Sequence, residues 1–211
     1  MFSKIKKYFT HEDKNLRDNR WIFASMLVGA ICSLIAAFVL SVEALKLAGN
    51  PNAQLSCSIN AIINCATVAK TSYATMFGFP NSFIGMLSEP VVITVAIAGL
   101  AGVKFPRRFM FVAQIFYTLG FLFAYCLTFI STFIIQALCP WCLLVTLSTT
   151  FVFFSMTRYN LREDNLYLPK KYEKIAKEFV KKDYDKLVLA SIVVIVIAVI
   201  IVKYGSNGLF A

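Results

Sequence analysis

Five stretches of the chain are apolar enough to cross a bilayer: residues 21–42, 82–103, 109–132, 139–157 and 187–202. A spanning helix needs roughly 20 apolar residues, so the pattern predicts an all-α integral membrane protein with five transmembrane helices. From Phe109 to Thr157 no residue is charged. That run is too long for one crossing and must fold back, and Cys139-Pro140-Trp141-Cys142 is where a helix restarts. Proline suits the first helical position, where its missing N–H costs nothing, so Cys139 becomes the N-cap and Cys142 the third helical residue. The fifth stretch is short, and Tyr184, Lys186, Lys203 and Tyr204 around it suit interfacial anchoring and snorkelling.

The polar intervals divide the chain into a lead (1–20), a four-helix bundle (21–157), a basic link (158–186) and a fifth helix with a short tail (187–211). In the lead, Phe2, Ile5 and Phe9 share a helical face against Lys4, Lys6 and Lys7, which predicts an interfacial helix. In the link, Tyr172, Ile175, Phe179 and Val180 line one face after Pro169, predicting a basic amphipathic helix on the membrane surface. The loop 43–80 turns at Gly49-Asn50-Pro51 and then carries Cys57 and Cys65. Ile59, Ile62, Ile63 and Ala66 form one stripe there, beside Ala61, Cys65 and Ala69. That spacing predicts a short surface helix presenting Cys65 to the bundle, and a Cys57–Cys65 disulfide would close a small loop. After Phe77-Gly78-Phe79-Pro80, either Asn81 or Ser82 can cap the second span. Glu89-Pro90 falls two turns into that span, about 12 Å along its axis. An ionisable group at that depth faces the bundle interior or water, with proton handling and a structural role both open; the proline should kink the helix.

Composition changes the picture in one respect. With 59% hydrophobic and 15% charged residues, an ordinary soluble domain is excluded. The net charge of +10 needs no nucleic acid, because anionic lipid accounts for it. Eighteen of the Lys and Arg residues lie in the lead, the 104–108 link and 158–186, against three (Lys46, Lys70, Lys203) on the other side. The positive-inside rule then places the N-terminus in the cytoplasm and the loop 43–80 and the Cys-Pro-Trp-Cys corner outside. The first apolar run is longer than a cleaved signal core and follows twenty mostly polar residues, so it is expected to stay.

Cysteine usage fits that map. None of the six cysteines lies in an expected cytoplasmic segment, and Cys57, Cys65, Cys139 and Cys142 sit on the oxidising side. Cys32 and Cys126 are mid-span packing residues. His11 is the single histidine, a solvated one, so zinc and haem sites lack their usual ligands and no metal site is expected. A dithiol at the head of a membrane helix is a redox site by chemistry, since the free N–H groups and the helix dipole favour a thiolate there. The bland alternatives are a structural staple at Cys57–Cys65 and two packing cysteines at 139 and 142. A membrane transporter or soft-metal conduit is the reading from another class.

Four features together resemble the vitamin K epoxide reductase (VKOR) family and its bacterial homologues. They are Cys57 and Cys65 eight residues apart, the Phe77-to-Ser82 lead-in to span two, Asn81 sixteen residues after Cys65, and Cys139-x-x-Cys142 heading span four. The resemblance covers about residues 20–157. It implies a quinone (menaquinone or ubiquinone) inside the bundle near Cys142, with Asn81 hydrogen-bonding a quinone carbonyl. It also implies a shuttle pair, Cys57 and Cys65, that reoxidises an extracytoplasmic thioredoxin-fold (DsbA-like) partner and passes electrons to Cys139 and Cys142. The setting it implies is the bacterial cytoplasmic membrane, in support of disulfide formation in secreted proteins. Some members fuse a thioredoxin-like domain to the fifth span; the end at Ala211 leads us to expect a separate partner. The family's serine six residues after the second loop cysteine is here Thr71, followed by Ser72, so a hydroxyl is kept for quinone binding. The vertebrate tyrosine four residues after the last cysteine is Thr146, which favours protein disulfide formation over epoxide chemistry. A DsbB-type oxidase is disfavoured because its first-loop cysteines are Cys-x-x-Cys.

Overall fold

The computed structural model describes residues 10, 13–60 and 62–205. Five of its helices are long and apolar enough to cross a membrane: α1 (Lys14–Gly49), α3 (Ser82–Leu100), α4 (Arg107–Phe129), α5 (Pro140–Arg162) and α7 (Tyr184–Tyr204). Among the described residues two shorter α-helices accompany them, α2 (Cys65–Ala69) in the first long loop and α6 (Lys170–Lys181) before α7. Among the described residues there is no strand, only isolated bridges. The protein is a multi-pass, all-α membrane protein.

Helix α1 packs along both α3 and α5, and α5 packs against α4, which gives a four-helix bundle with α6 and α7 attached to α5. In lipid there is little hydrophobic drive between helices, so close approach through small residues matters. At Gly99 a Cβ would lie 2.4 Å from the Phe23 ring, so only glycine lets α3 meet α1 there. The core beneath holds Phe23, Met26, Ala96, Met110, Val152 and Met156, all buried. The outward faces stay apolar, as at Leu87 and Phe116, because lipid is their solvent. Helix α7 is apolar and largely exposed. It is tied down at one end by Arg158, whose guanidinium donates to both carboxylate oxygens of Asp185 at 2.7 Å. At the other end the Tyr204 hydroxyl donates to the Thr132 carbonyl at 2.7 Å.

Several local expectations change. Helix α1 begins at Lys14, before the apolar run, because Asp13 Oδ1 accepts the Asn15 N–H at 2.9 Å and caps it there. The interfacial helix expected around Phe2, Ile5 and Phe9, and His11, lie outside the described residues. The surface helix expected across 58–69 shrinks to Cys65–Ala69. Asparagine side chains compete with the helix there: Asn60 Oδ1 accepts the Ile62 and Ile63 N–H groups, and Asn64 Oδ1 accepts that of Thr67. Ala61 lies outside the described residues. Neither expected cap closes α3 as predicted: Asn81 stands at the N-cap position with helical backbone angles and no side-chain cap bond. Helix α3 runs on through Pro90. Helix α6 forms as expected, with Tyr172 and Ile175 exposed and Val180 turned into the protein. Cys32 is half-buried, and Cys126 is exposed on the outer face of α4 instead of packing inward.

Candidate redox site

The site begins with how α4 ends. After Phe129 it loosens into a π-helical turn, Ile130–Ile135, and Gln136 closes it in the left-handed region at φ 58°. Ala137 and Leu138 then run out of the helix to Cys139, whose backbone is extended. Leu138 N–H donates to the Ile62 carbonyl at 2.7 Å, and Asn64 N–H donates to the Leu138 carbonyl at 3.0 Å. This one-residue parallel bridge fastens the loop between α1 and α3 to the segment that precedes α5. The adjoining residues, Cys65 and Cys139, are thereby brought side by side.

Cys57 and Cys65 are joined in a disulfide. Cys139 Sγ lies 3.2 Å from Cys65 Sγ, while Cys139 and Cys142 are both free thiols. Leu55, Cys57, Cys65 and Cys139 form one buried cluster, under which Leu40, Trp141 and Cys142 pack. Cys139 is the N-cap of α5, and its sulfur accepts the Cys142 N–H at 3.4 Å. Its pKa is held below the ordinary thiol range, first by a hydrogen bond from the Cys142 side chain, against the opposing pull of burial, and then by backbone N–H groups of Cys142 and Trp141. A thiolate at Cys139 beside the Cys65 sulfur is the arrangement that thiol–disulfide exchange requires.

Glu43 makes a contact with the disulfide that the sequence did not disclose. It is buried near the far end of α1, and its Oε2 lies 3.1 Å from Cys57 Sγ. Its Oε1 accepts from both the N–H and the hydroxyl of Ser56. The only signal was an acidic residue at the end of an apolar run, fourteen positions before Cys57. The donor atoms of Glu43, Cys57 and Cys65 lie within 4.8 Å of one another. Two of the three are sulfurs spent in a disulfide, which does not supply the thiolates a soft metal ion needs.

Beneath the cysteines a cavity of about 860 Å³ opens inside the bundle. Cys65, Cys139 and Cys142 line its upper wall, and apolar side chains line most of the rest. On one flank its wall includes Ile84 and Val91 of α3 with Phe116 and Leu119 of α4, all of which are also exposed on the outside of the bundle. The cavity therefore opens sideways between α3 and α4. Its size and lining fit a flat, apolar molecule of the quinone class.

The remaining predicted residues divide. Asn81 is on the cavity wall, half-buried, with Nδ2 donating to the Tyr73 carbonyl at 2.7 Å and Oδ1 accepting the Met76 N–H at 3.2 Å. It thus clamps the turn containing Gly78, whose φ of +81° only glycine adopts without strain. Thr146 is buried on the wall, its hydroxyl 2.7 Å from that of Thr128 and donating to the Cys142 carbonyl at 3.0 Å. Thr71 and Ser72 are not on the wall: the Thr71 hydroxyl donates to the Val68 carbonyl at 2.7 Å, and Ser72 is exposed. Deeper in the cavity, buried Glu89 accepts from the Ser33 hydroxyl at 2.9 Å and the Tyr117 hydroxyl at 3.4 Å. Neither of those partners was apparent from the sequence.

No curated protein matches the chain. The profile of the Vitamin K epoxide reductase family matches residues 24–157, which takes in most of α1, all of α2, α3 and α4, all four clustered cysteines and most of α5. That family carries out membrane disulfide and quinone-linked redox chemistry, and two cysteine pairs stand in contact here. The chain belongs to the vitamin K epoxide reductase family.

Proposed function

We propose that this protein is a membrane thiol–disulfide oxidoreductase that reoxidises a thioredoxin-fold protein outside the cytoplasmic membrane and delivers the electrons to a quinone. The observation that carries the reading is the 3.2 Å separation of Cys65 Sγ and Cys139 Sγ. A reduced partner dithiol opens the Cys57–Cys65 disulfide and leaves as a disulfide itself. Cys65 then attacks Cys139 of an oxidised Cys139–Cys142 pair, and Cys142 leaves as a thiolate. Cys57 next attacks Cys65, which restores the loop disulfide and frees Cys139. The loop oxidised and the inner pair reduced is the state of this structure.

A quinone supplies the sink for two electrons and two protons. On the protein's side, Cys142 is a sulfur on the cavity wall at the head of α5. The second N–H of the Asn81 amide makes no bond among the described residues, which suits it to a carbonyl oxygen. The lateral opening between α3 and α4 favours an acceptor that arrives from the lipid. The three basic segments support an orientation with the cysteines on the outer face.

The test is oxidation of the purified, fully reduced protein by menaquinone and by ubiquinone. Cys142→Ser is expected to abolish quinone reduction; in the same variant isolated with its Cys57–Cys65 disulfide intact, Cys139 attacks Cys65, Cys57 leaves as a thiolate, and the resulting Cys65–Cys139 disulfide is read by mass spectrometry after acid quenching. Quinone reduction that persists without Cys142, or a trapped bond from Cys139 to another cysteine, overturns the route.

A further inference from the structure

Glu43 sits against Cys57, the one sulfur of the relay that does not line the cavity. Its carboxylate is fixed from behind, Oε1 holding both donors of Ser56, so that Oε2 is left facing Cys57 Sγ at 3.1 Å. The titratable groups that meet it are Cys57 and Cys65 of the loop and, through space, Cys139 at the head of α5. Among the described residues it has no Lys or Arg partner. A buried carboxylate without a counter-ion is an expensive group to keep for packing alone. Its position makes chemical sense once the Cys57 sulfur carries a proton.

We infer that Glu43 is the general acid–base of the loop cysteine pair, taking the proton from Cys57 when the loop disulfide closes and returning it when the disulfide opens. On closure the Cys57 thiol gives its proton to Glu43 Oε2. The Cys57 thiolate then forms a bond to Cys65, and the bond from Cys65 to its mixed-disulfide partner breaks, with that sulfur leaving as a thiolate. No net oxidation occurs: one disulfide replaces another, and the proton resides on Glu43. In the reverse direction a thiolate attacks Cys65, and Cys57 leaves with the proton held by Glu43. The assignment therefore holds whichever way electrons flow. Lone exposed cysteine thiols are mostly protonated near neutrality, so a base in contact matters most at Cys57, which lacks the helix-head donors that serve Cys139. The inference rests on the proposed function only in taking the loop cysteines as an exchanging pair.

The experiment uses the full chain with Cys32→Ser, Cys126→Ser, Cys139→Ser and Cys142→Ser, so that the loop pair holds the remaining thiols, reduced and mixed with dithiobis(nitrobenzoate). Attack on the reagent releases a first thionitrobenzoate; closure of Cys57 onto the Cys65 adduct releases a second, and neither step needs quinone or partner. Glu43→Gln keeps an acceptor for Ser56 but removes the base. It is expected to slow the second release about 100-fold at neutral pH while the first is kept. Its closure rate should then climb about tenfold per pH unit, as Cys57 ionises without assistance, where the parent is nearly flat. Glu43→Asp, which retains a carboxylate, should recover much of the rate; a packing role predicts no such rescue. A second release in Glu43→Gln with the parent's rate and pH profile overturns the inference, as does equal slowing of both releases. Slowed closure in this background together with no reaction of the unsubstituted protein toward either quinone would instead count against the function proposed above.

Discussion

Removing the side chain of Asn64 tests whether the loop is a lid on Cys139. Asn64 Oδ1 accepts the Thr67 N–H at 3.0 Å and the Ser58 hydroxyl at 3.1 Å, so it caps α2 and closes the segment that carries Cys65. In Asn64→Ala the lost cap costs about 1 kcal/mol. The lost Ser58 bond adds about 0.5–1 kcal/mol, kept small because both groups are near water. The disulfide and the two backbone bonds to Leu138 remain, so the effect is a local opening and not unfolding of the bundle. A local destabilisation of about 1.5–2 kcal/mol raises the open population roughly ten- to thirty-fold. Cys139 is only 2% exposed, so a maleimide reaches it when the loop lifts. Residue-resolved mass spectrometry of the detergent-solubilised protein should show Cys139 modified at least ten times faster in the variant, with mid-span Cys32 unchanged. An unaltered Cys139 rate would refute the lid; equal acceleration at Cys32 would mean global loosening and refute the local accounting.

Two further outcomes follow from the geometry. The hydrogen bonds from Cys142 and Trp141 to the Cys139 sulfur predict that Cys139 reactivity levels off at a lower pH than an ordinary thiol's; Cys142→Ala, which removes the largest of these stabilisers of the thiolate, should move that midpoint upward, and an unmoved midpoint would contradict the assignment. Gly99→Ala should lower thermal stability in detergent by about 1–3 kcal/mol, since its methyl would lie 2.4 Å from the Phe23 ring, whereas Gly120→Ala, with nothing within 4 Å, should be neutral or raise it by up to about 1 kcal/mol; equal effects at the two positions would remove the close-contact argument.

The sequence by itself determined the number of spans and their rough limits, because a bilayer core accepts only long apolar helices and leaves no other solution for such runs. It also determined the head of α5: proline excludes the chain's other ways of entering that helix, so Cys139 had to cap it and Cys142 had to stand one turn in. Helix ends were less legible, since Asp13 starts α1 by satisfying an N–H and not by being apolar. Between Cys57 and Asn64 the isoleucine spacing is helical, but the asparagines beside it bond the backbone locally, so the helix starts only at Cys65. Tertiary structure alone decided what the cysteines can do. The bridge joining Ile62 and Asn64 to Leu138 uses backbone groups that every residue possesses, so no side chain announces it. The approach of Glu43 to Cys57 comes from the loop folding back on the end of α1, and that of Ser33 and Tyr117 to Glu89 comes from helix crossings, where residues far apart in the chain become neighbours through packing that no local pattern encodes.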